Sequence, residues 1–445
     1  MIDLLLNLFI LVIFVFFFIR LRIGLSLYIA YFILIPILSP NFFGYVLKWN
    51  MVNLLLLIAF LFKYYTAGRR HNKLDFRPIY PFVILYFFLG IVMVFQDGAP
   101  YNYMINEWRA DLMINLILPF VVWNTCKIDH KCANCLTYTI IICVIISVLY
   151  GLFLTQIPGI NPYLMILLPI GGGEFNAAYA AGNSGLATDT TLAEGRLFGR
   201  ISSVFVHPMA FGLFLGLSLM YVYSVKDKIG KPLFYFLMLI IIVTIMVCGI
   251  RTPIAALLIS VVSFLILKHQ VKLMIQIVGL CLIGYLILLN IPGMESYIGS
   301  IFMQNSKSSN LAGSSLAMRI DQLGGCFQEI RDCLLFGKGY SWTTYYLLYK
   351  ETIHPILLGF ESLAFVVLCN WGIYGVLIWS YAFYAQYKYI KYRVMSSDRL
   401  ILYTLMVYYL SYAMITGEYG YMKYFLLFYS LTLVAVSRTY QSIDN

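Results

Sequence analysis

Long runs of apolar residues recur along the chain and are separated by short polar stretches. Most runs are about 17–22 residues long, the length that an α-helix needs to cross a hydrocarbon core of about 30 Å. Because lipid offers the backbone no hydrogen-bond partners, a run at that depth has to be helical. The pattern therefore predicts an all-α fold, a polytopic membrane helix bundle of about 12–13 transmembrane helices.

The bundle is expected to occupy the whole chain as a single integral membrane domain, residues 1–445. The first run is expected to be a span rather than a signal peptide, because Met1-Ile2-Asp3 supplies no basic start and no small-residue cleavage site follows. The predicted spans are roughly 3–19, 23–40, 44–62, 79–97, 109–126, 136–155, 207–225, 232–250, 252–268, 271–290, 356–386, 400–417 and 419–436.

The composition excludes a soluble protein. Of 445 residues, 62% are hydrophobic and 11% are charged. Soluble domains have about 45–50% apolar and about 25% charged residues. So few charges could not form the polar shell that a soluble core of this length needs.

Basic residues predict how the bundle is oriented. They gather in short loops that each follow an odd-numbered span, so all can be cytoplasmic together, as the positive-inside rule requires. The net charge of +11 is then a topology signal, and we expect no nucleic-acid partner. Two long loops, at about 156–206 and 291–355, are left outside the cytoplasm. The basic loops are 20–22, 63–77, 127–131, 226–231, 268–272 and 388–399.

The second long loop is expected to contain an amphipathic helix at 314–335 that lies at the membrane interface. Its apolar residues recur at steps of three and four, and a polar stripe lies on another face. The apolar positions are Leu316, Ile320, Leu323, Phe327, Ile330 and Leu334, and the stripe is Arg319, Gln322 and Glu329.

Three predicted helix starts share a local design and the same side of the membrane. They are His207-Pro208, Arg251-Thr252-Pro253 and His354-Pro355. Proline suits the first turn of a helix, and a helix N-terminus offers free amides and a partial positive charge to anions. Arginine adds a planar fork that binds phosphate oxygens in pairs. We therefore predict a phosphate site, to which Arg196, Arg200 and Arg319 also contribute.

Glu361 follows His354 by seven residues and is expected on the same helix face, about 10 Å deeper. An ionisable group at that depth usually faces a cavity, so Glu361 is a candidate base or an ion-pair partner for an arginine. Each of these residues also has a structural interpretation, because proline commonly starts helices and arginine snorkels to headgroups. No cluster of metal ligands is evident in the long loops, and we expect no metal and no cofactor.

Four stretches within about 195–380 resemble motifs of the O-antigen polymerase and O-antigen ligase superfamily. They are Gly199 to Pro208, Ile250-Arg251-Thr252, Met318-Arg319 through Phe336-Gly337-Lys338-Gly339, and His354 with Trp371-Gly372-Ile373-Tyr374-Gly375. The chain departs from the family pattern at three of them: Pro355 replaces an asparagine, Ile250 a serine, and Leu334-Leu335 a Pro-Leu pair.

The resemblance implies transfer of a glycan from undecaprenyl diphosphate to an acceptor at the outer face of the bacterial cytoplasmic (inner) membrane. By that resemblance, Arg251 and Arg319 hold the diphosphate and His354 is the base or orients the acceptor. Substrates are then undecaprenyl-diphosphate-linked oligosaccharides of O-antigen or capsule, within the lipid bilayer, and a chain-length regulator is a candidate partner.

Polymerase and ligase share these motifs and differ in the acceptor, which is another lipid-linked glycan or a lipid A core. We favour the polymerase because the His-Asn motif is weak and the 37 Tyr and 33 Phe can stack on sugars. A flippase that moves the same lipid-linked glycans is the alternative from another class. It would place ionisable residues at mid-membrane depth, whereas here the charges gather at one face.

Overall fold

A computed structural model describes most of the chain, and almost all of that part is helical. The described residues are 2–36, 42–45, 47–66, 74–157, 161–167, 200–276, 278–279, 283, 316–349, 354–357, 359–416 and 421–437. They contain no β-strand, which confirms the all-α prediction for this part of the chain. The predicted span 271–290 and the first long loop lie largely outside the described residues, whereas the second long loop is described at 316–349 and 354–355.

Seven long helices form the first part of the bundle. Between α5 and α6 the helix loosens into a π-helical turn at Met113–Ile117. The seven are α1 (Ile2–Ile19), α2 (Leu21–Leu34), α3 (Trp49–Thr66), α4 (Tyr80–Val92), α5 (Tyr101–Leu112), α6 (Leu118–Ile128) and α7 (His130–Leu154).

Among the described residues, eight further helices of eight or more residues follow the first long loop. Among them, α11 falls within the predicted amphipathic segment 314–335. The eight are α8 (Pro208–Ser224), α9 (Lys231–Val247), α10 (Arg251–Leu267), α11 (Leu316–Glu329), α12 (Trp342–Tyr349), α13 (Leu363–Arg393), α14 (Ser396–Thr416) and α15 (Met422–Ser437).

Six described helices are long and apolar enough to cross a membrane, and six more are apolar but shorter. Each coincides with one of the predicted spans. The predicted membrane-helix class is therefore confirmed. The six long ones are Ile2–Ile19, Trp49–Thr66, Tyr101–Ile128, Lys131–Leu154, Leu363–Arg393 and Asp398–Thr416.

The last turns of α14 hold the first turns of α8, α10 and α13 at one end of the bundle, which we call the polar end. The Tyr412 hydroxyl donates to the carbonyl oxygen of Met209 in α8 (2.7 Å). Met414, two residues on, accepts a bond from the hydroxyl of Ser362, which caps α13 (2.9 Å). The start of α10 touches α8, because a Cβ on Gly212 would lie 2.6 Å from Cγ of Pro253.

Basic residues gather at the opposite end, where α8, α10 and α13 finish. Lys226, Lys268 and Arg393 lie at or just beyond those three C-termini. Within this region the Asp75 carboxylate binds Nε of Arg77 (2.9 Å) and Nζ of Lys127 (3.1 Å). Burial alone would raise the pKa of Asp75, but hydrogen bonds from Arg77 and Lys127 outweigh it and lower that pKa. The basic residues that follow α8, α10 and α13 thus share one end of the bundle.

The chain breaks the long helix α13 at Gly372, where φ is 61° and ψ is −154°. The turn at 334–339 fills the break and bonds to both of its sides. Lys338 N donates to Cys369 O (2.8 Å) and Ile373 N donates to Leu334 O (3.0 Å). Backbone groups freed by the break are thereby satisfied from another segment, as a helix interior in an apolar setting requires.

The start of α13 differs from the prediction. His354-Pro355 was expected to open the span, but the helix begins at Leu363 with Ser362 as its cap. Phe360, with φ of 54°, turns the backbone out of helical geometry just before that cap. Glu361 therefore precedes the helix at the polar end, rather than lying about 10 Å deeper on the same face as His354.

Candidate functional site

His207 caps α8 at the polar end. Its Nδ1 accepts the backbone N–H of Met209 at 3.2 Å, which leaves Nε2 as the proton-bearing nitrogen of the neutral ring. Burial, together with the positive charge of Arg200, lowers the pKa of His207 to about 4. The imidazole is consequently neutral near pH 7 and offers an anion an N–H donor rather than a charge.

Arg200 and Arg251 supply positive charge beside this cap. The N–H of Ile201 donates to the carbonyl oxygen of Cys248 at 3.1 Å, so the segment with Arg200 runs along the residues that lead into α10. Arg251 is the first residue of α10, as predicted, and both arginines are half-buried. Two arginines and the N-termini of α8 and α10 thus converge, an arrangement suited to phosphate. Arg196 lies outside the described residues.

Arg319 belongs to α11, which turns its apolar residues outward. Ile320, Leu323 and Phe327 are exposed, whereas Gln322 is fully buried against the bundle. Asp321 and Gln328 are exposed as well, so the outer face of α11 carries both apolar and polar residues.

Glu361 is the ion-pair partner of Arg319. Nη2 of Arg319 lies 3.5 Å from Oε2 of Glu361, and Nη1 donates to the Glu361 carbonyl oxygen. Burial lowers the pKa of Arg319, while the Glu361 carboxylate acts in the opposite direction. The guanidinium stays charged, because an arginine pKa is normally above 12.

His354 is buried and its ring is held on both nitrogens. Nδ1 accepts the backbone N–H groups of Ile356 (3.2 Å) and Leu357 (3.0 Å), so the residue caps a short turn. Nε2 lies 3.4 Å from Oε2 of Glu329. The ring also packs against that of Tyr346, with 5.2 Å between centroids.

Glu329 was predicted only as part of a polar stripe, and the structure places it next to His354. Its second oxygen, Oε1, lies 3.5 Å from Nζ of Lys338 in the turn that fills the break in α13. The helical spacing from Arg319 was the one sequence signal for Glu329. Its contact with His354 was not visible in the sequence, because the two residues come from different segments.

The site therefore consists of two groups of residues joined by α14. One group surrounds the starts of α8 and α10, and the other lies between α11 and the segment that leads into α13. The first group contains Arg200, His207 and Arg251, and the second contains Arg319, Glu329, His354 and Glu361. No cluster of three or more potential metal ligands occurs among the described residues.

An apolar cavity of about 380 Å³ lies near the segment that precedes α8. Its lining is almost entirely carbon, with Val204 contributed by the segment that carries Arg200 and His207. None of its lining residues comes from α10 or α11, so it is separate from Arg251 and Arg319. The other lining residues belong mainly to α1, α2 and α7 and include Phe9, Tyr31, Leu34 and Tyr150.

Comparison with known proteins leaves the motifs as the basis for a functional assignment. No family model matches this chain, and no curated protein matches it at a significant level. The motif resemblance and the geometry of the polar end therefore carry the proposal that follows.

Proposed function

We propose that this protein is a glycosyltransferase of the bacterial cytoplasmic membrane that polymerises glycan repeat units carried on undecaprenyl diphosphate. The observation that carries the proposal is that Arg200, Arg251 and Arg319 lie at one end of a membrane bundle, where the buried ring of His354 contacts the carboxylate of Glu329. Arginines hold the diphosphate, and the acid–base pair serves the acceptor. No metal ion is part of the proposal.

The distribution of charge supports an active face outside the cytoplasm. Short basic loops mark the cytoplasmic side of membrane proteins. In this bundle they lie at the ends of α8, α10 and α13, opposite the polar end. Lipid-linked repeat units presented at the outer face would then meet the arginines directly.

The chemistry of the leaving group supports the role of the arginines. In a single displacement, an acceptor hydroxyl attacks the anomeric carbon, its bond to the diphosphate oxygen breaks, and negative charge grows on the diphosphate. Positive groups fixed in advance stabilise that growing charge more than they stabilise the ground state. Each charged hydrogen bond contributes about 1.5–3 kcal/mol. Inversion at the anomeric carbon follows from a single displacement.

Glu361 acts in this scheme as a placeholder, the anion that pairs with Arg319 until a diphosphate binds. It neutralises Arg319 while no diphosphate is bound, which limits the cost of a partly buried charge. An incoming diphosphate carries more charge and replaces the carboxylate as the partner of Arg319. The apolar cavity at Val204 offers a carbon-lined surface of the kind that a polyprenyl chain requires.

The test is complementation of cells that lack the protein, with the polysaccharide length distribution as readout. Arg251→Ala and Arg319→Ala should leave single repeat units on the carrier lipid, whereas the parent restores long chains. Arg331→Ala is the matched control, since it removes an exposed charge from the turn that follows α11. All variants are compared at equal membrane abundance.

The same experiment separates the alternatives. If long chains form on the carrier lipid but never reach lipid A core, the protein is an O-antigen ligase. If lipid-linked repeat units accumulate at the cytoplasmic face, it is a flippase. If both arginine variants restore the parental ladder, the diphosphate site is refuted.

A further inference from the structure

The bonding of the His354 ring leaves no nitrogen lone pair for a substrate. Two backbone N–H groups, from Ile356 and Leu357, point at Nδ1, which must therefore be the unprotonated nitrogen of the neutral ring. Nε2 then carries the proton and directs it at Glu329. For His354 to accept a proton at Nδ1, both backbone bonds would have to break.

Glu329 has the accessibility that His354 lacks. Its side chain is 29% exposed, against 7% for that of His354. It is the last residue of α11. Its Oε2 faces His354, and its Oε1 faces Lys338. An ionised carboxylate accepts about four hydrogen bonds, so these two contacts leave capacity for a hydroxyl donor.

The location of Glu329 also suits an acceptor. It lies ten residues after Arg319 on the same helix, which separates their backbones by about 15 Å along the axis. For a sugar that extends along α11 from a diphosphate at Arg319, this rise leaves room for the sugar ring and an incoming hydroxyl before Glu329.

We propose that Glu329 is the general base of the transfer and that His354 is a positioning residue that orients its carboxylate. This rests on the proposed glycosyl transfer and names its proton acceptor. The acceptor hydroxyl gives its proton to Glu329 as its oxygen bonds to the anomeric carbon. The bond from that carbon to the diphosphate oxygen breaks, and the electron pair leaves with the diphosphate.

The surroundings of Glu329 define which variants test the proposal. Lys338 and His354 contact it, and the thiols of Cys333 and Cys369 lie close enough to interact with it electrostatically. Glu329→Gln keeps the shape and removes the base. His354→Asn keeps an acceptor for the backbone amides of the turn and removes the contact with the carboxylate.

The experiment measures transfer by the purified full-length protein from an undecaprenyl-diphosphate-linked repeat unit, with donor binding measured separately. Glu329→Gln should lower kcat by about 10²–10⁴, the usual contribution of a general base, with donor affinity unchanged. Glu329→Asp should retain part of the rate. His354→Asn should lower kcat by less than Glu329→Gln does. It should keep the acidic limb of the pH–rate profile, which Glu329→Gln should lose.

Two results would overturn the assignment. One is a Glu329→Gln variant that retains the parental rate while the parent transfers glycan. The other is a His354→Asn variant that loses as much rate as Glu329→Gln and also loses the acidic limb, which would make the histidine the base. If the parent binds the donor but transfers nothing to any glycan acceptor, the proposed function itself fails and this assignment falls with it.

Discussion

Replacing Gly372 by alanine should test the way the turn at 334–339 is built into α13. At φ of 61° and ψ of −154°, the backbone is in a region populated almost only by glycine, which costs other residues about 1–3 kcal/mol. A Cβ there would lie 2.4 Å from the carbonyl oxygen of Leu334. Backbone atoms cannot move aside as a flexible side chain can, so the turn has to shift.

The magnitude follows from the bonds that the shift breaks. The turn and the broken helix share the bonds Lys338 N to Cys369 O, Gly339 N to Asn370 O, Ile373 N to Leu334 O, and Tyr374 N to Leu335 O. Each contributes a net of about 0.5–1.5 kcal/mol. Loss of half of them, added to the strain, gives an expected loss of about 2–6 kcal/mol in the free energy of unfolding.

Unfolding in mixed micelles, followed by tryptophan fluorescence, measures this loss. Gly324→Ala is the matched control, because a Cβ on that helical glycine meets nothing within 4 Å. Alanine is favoured over glycine in a helix by about 1 kcal/mol, so the control should be neutral or stabilising. A Gly372→Ala variant as stable as the parent would refute the structural role of the turn. Glycan transfer should fall with Gly372→Ala, because the turn also carries Lys338.

Three further predictions concern single side chains. Asp75→Asn should destabilise the protein by about 1 kcal/mol at pH 7, since its partners Arg77 and Lys127 are 60% and 46% exposed. Because the folded pKa of Asp75 is lowered, this difference should vanish as the pH falls through that pKa, and thermal unfolding of both proteins from pH 7 to pH 3 checks it. Glu361→Gln should bind the undecaprenyl-diphosphate donor several-fold more tightly by freeing Arg319, whereas unchanged or weaker binding in a titration would contradict the placeholder role. Gln96→Met should lower the unfolding free energy by about 1–3 kcal/mol, because the Gln96 amide donates to the carbonyl oxygens of Phe336 and Asn370. An unfolding curve in micelles that matches the parent would contradict this.

Helices, and the starts of two of them, were the features that could be predicted from the sequence. Long apolar runs must close their own backbone hydrogen bonds in lipid, so their helical state depends only on residues four positions apart. The starts of α8 at Pro208 and α10 at Arg251 were predicted for the same local reason. The sequence also predicted that the basic loops lie at one end, because the number of spans before a loop decides the side of the membrane on which it lies.

Tertiary packing decided the parts of the site that join distant segments. The periodicity of 356–386 predicts one continuous helix, yet the turn at 334–339 breaks it at Gly372, and α13 starts at Leu363. The resemblance implied that His354 is the base or orients the acceptor, with Glu361 as another candidate base. In the structure, the backbone N–H groups of Ile356 and Leu357 bond one nitrogen of His354, and Glu329 faces the other. Residue type and spacing specify which groups a side chain can bond. Which groups it does bond depends on how α11 packs against α13, and local periodicity carries no information about that.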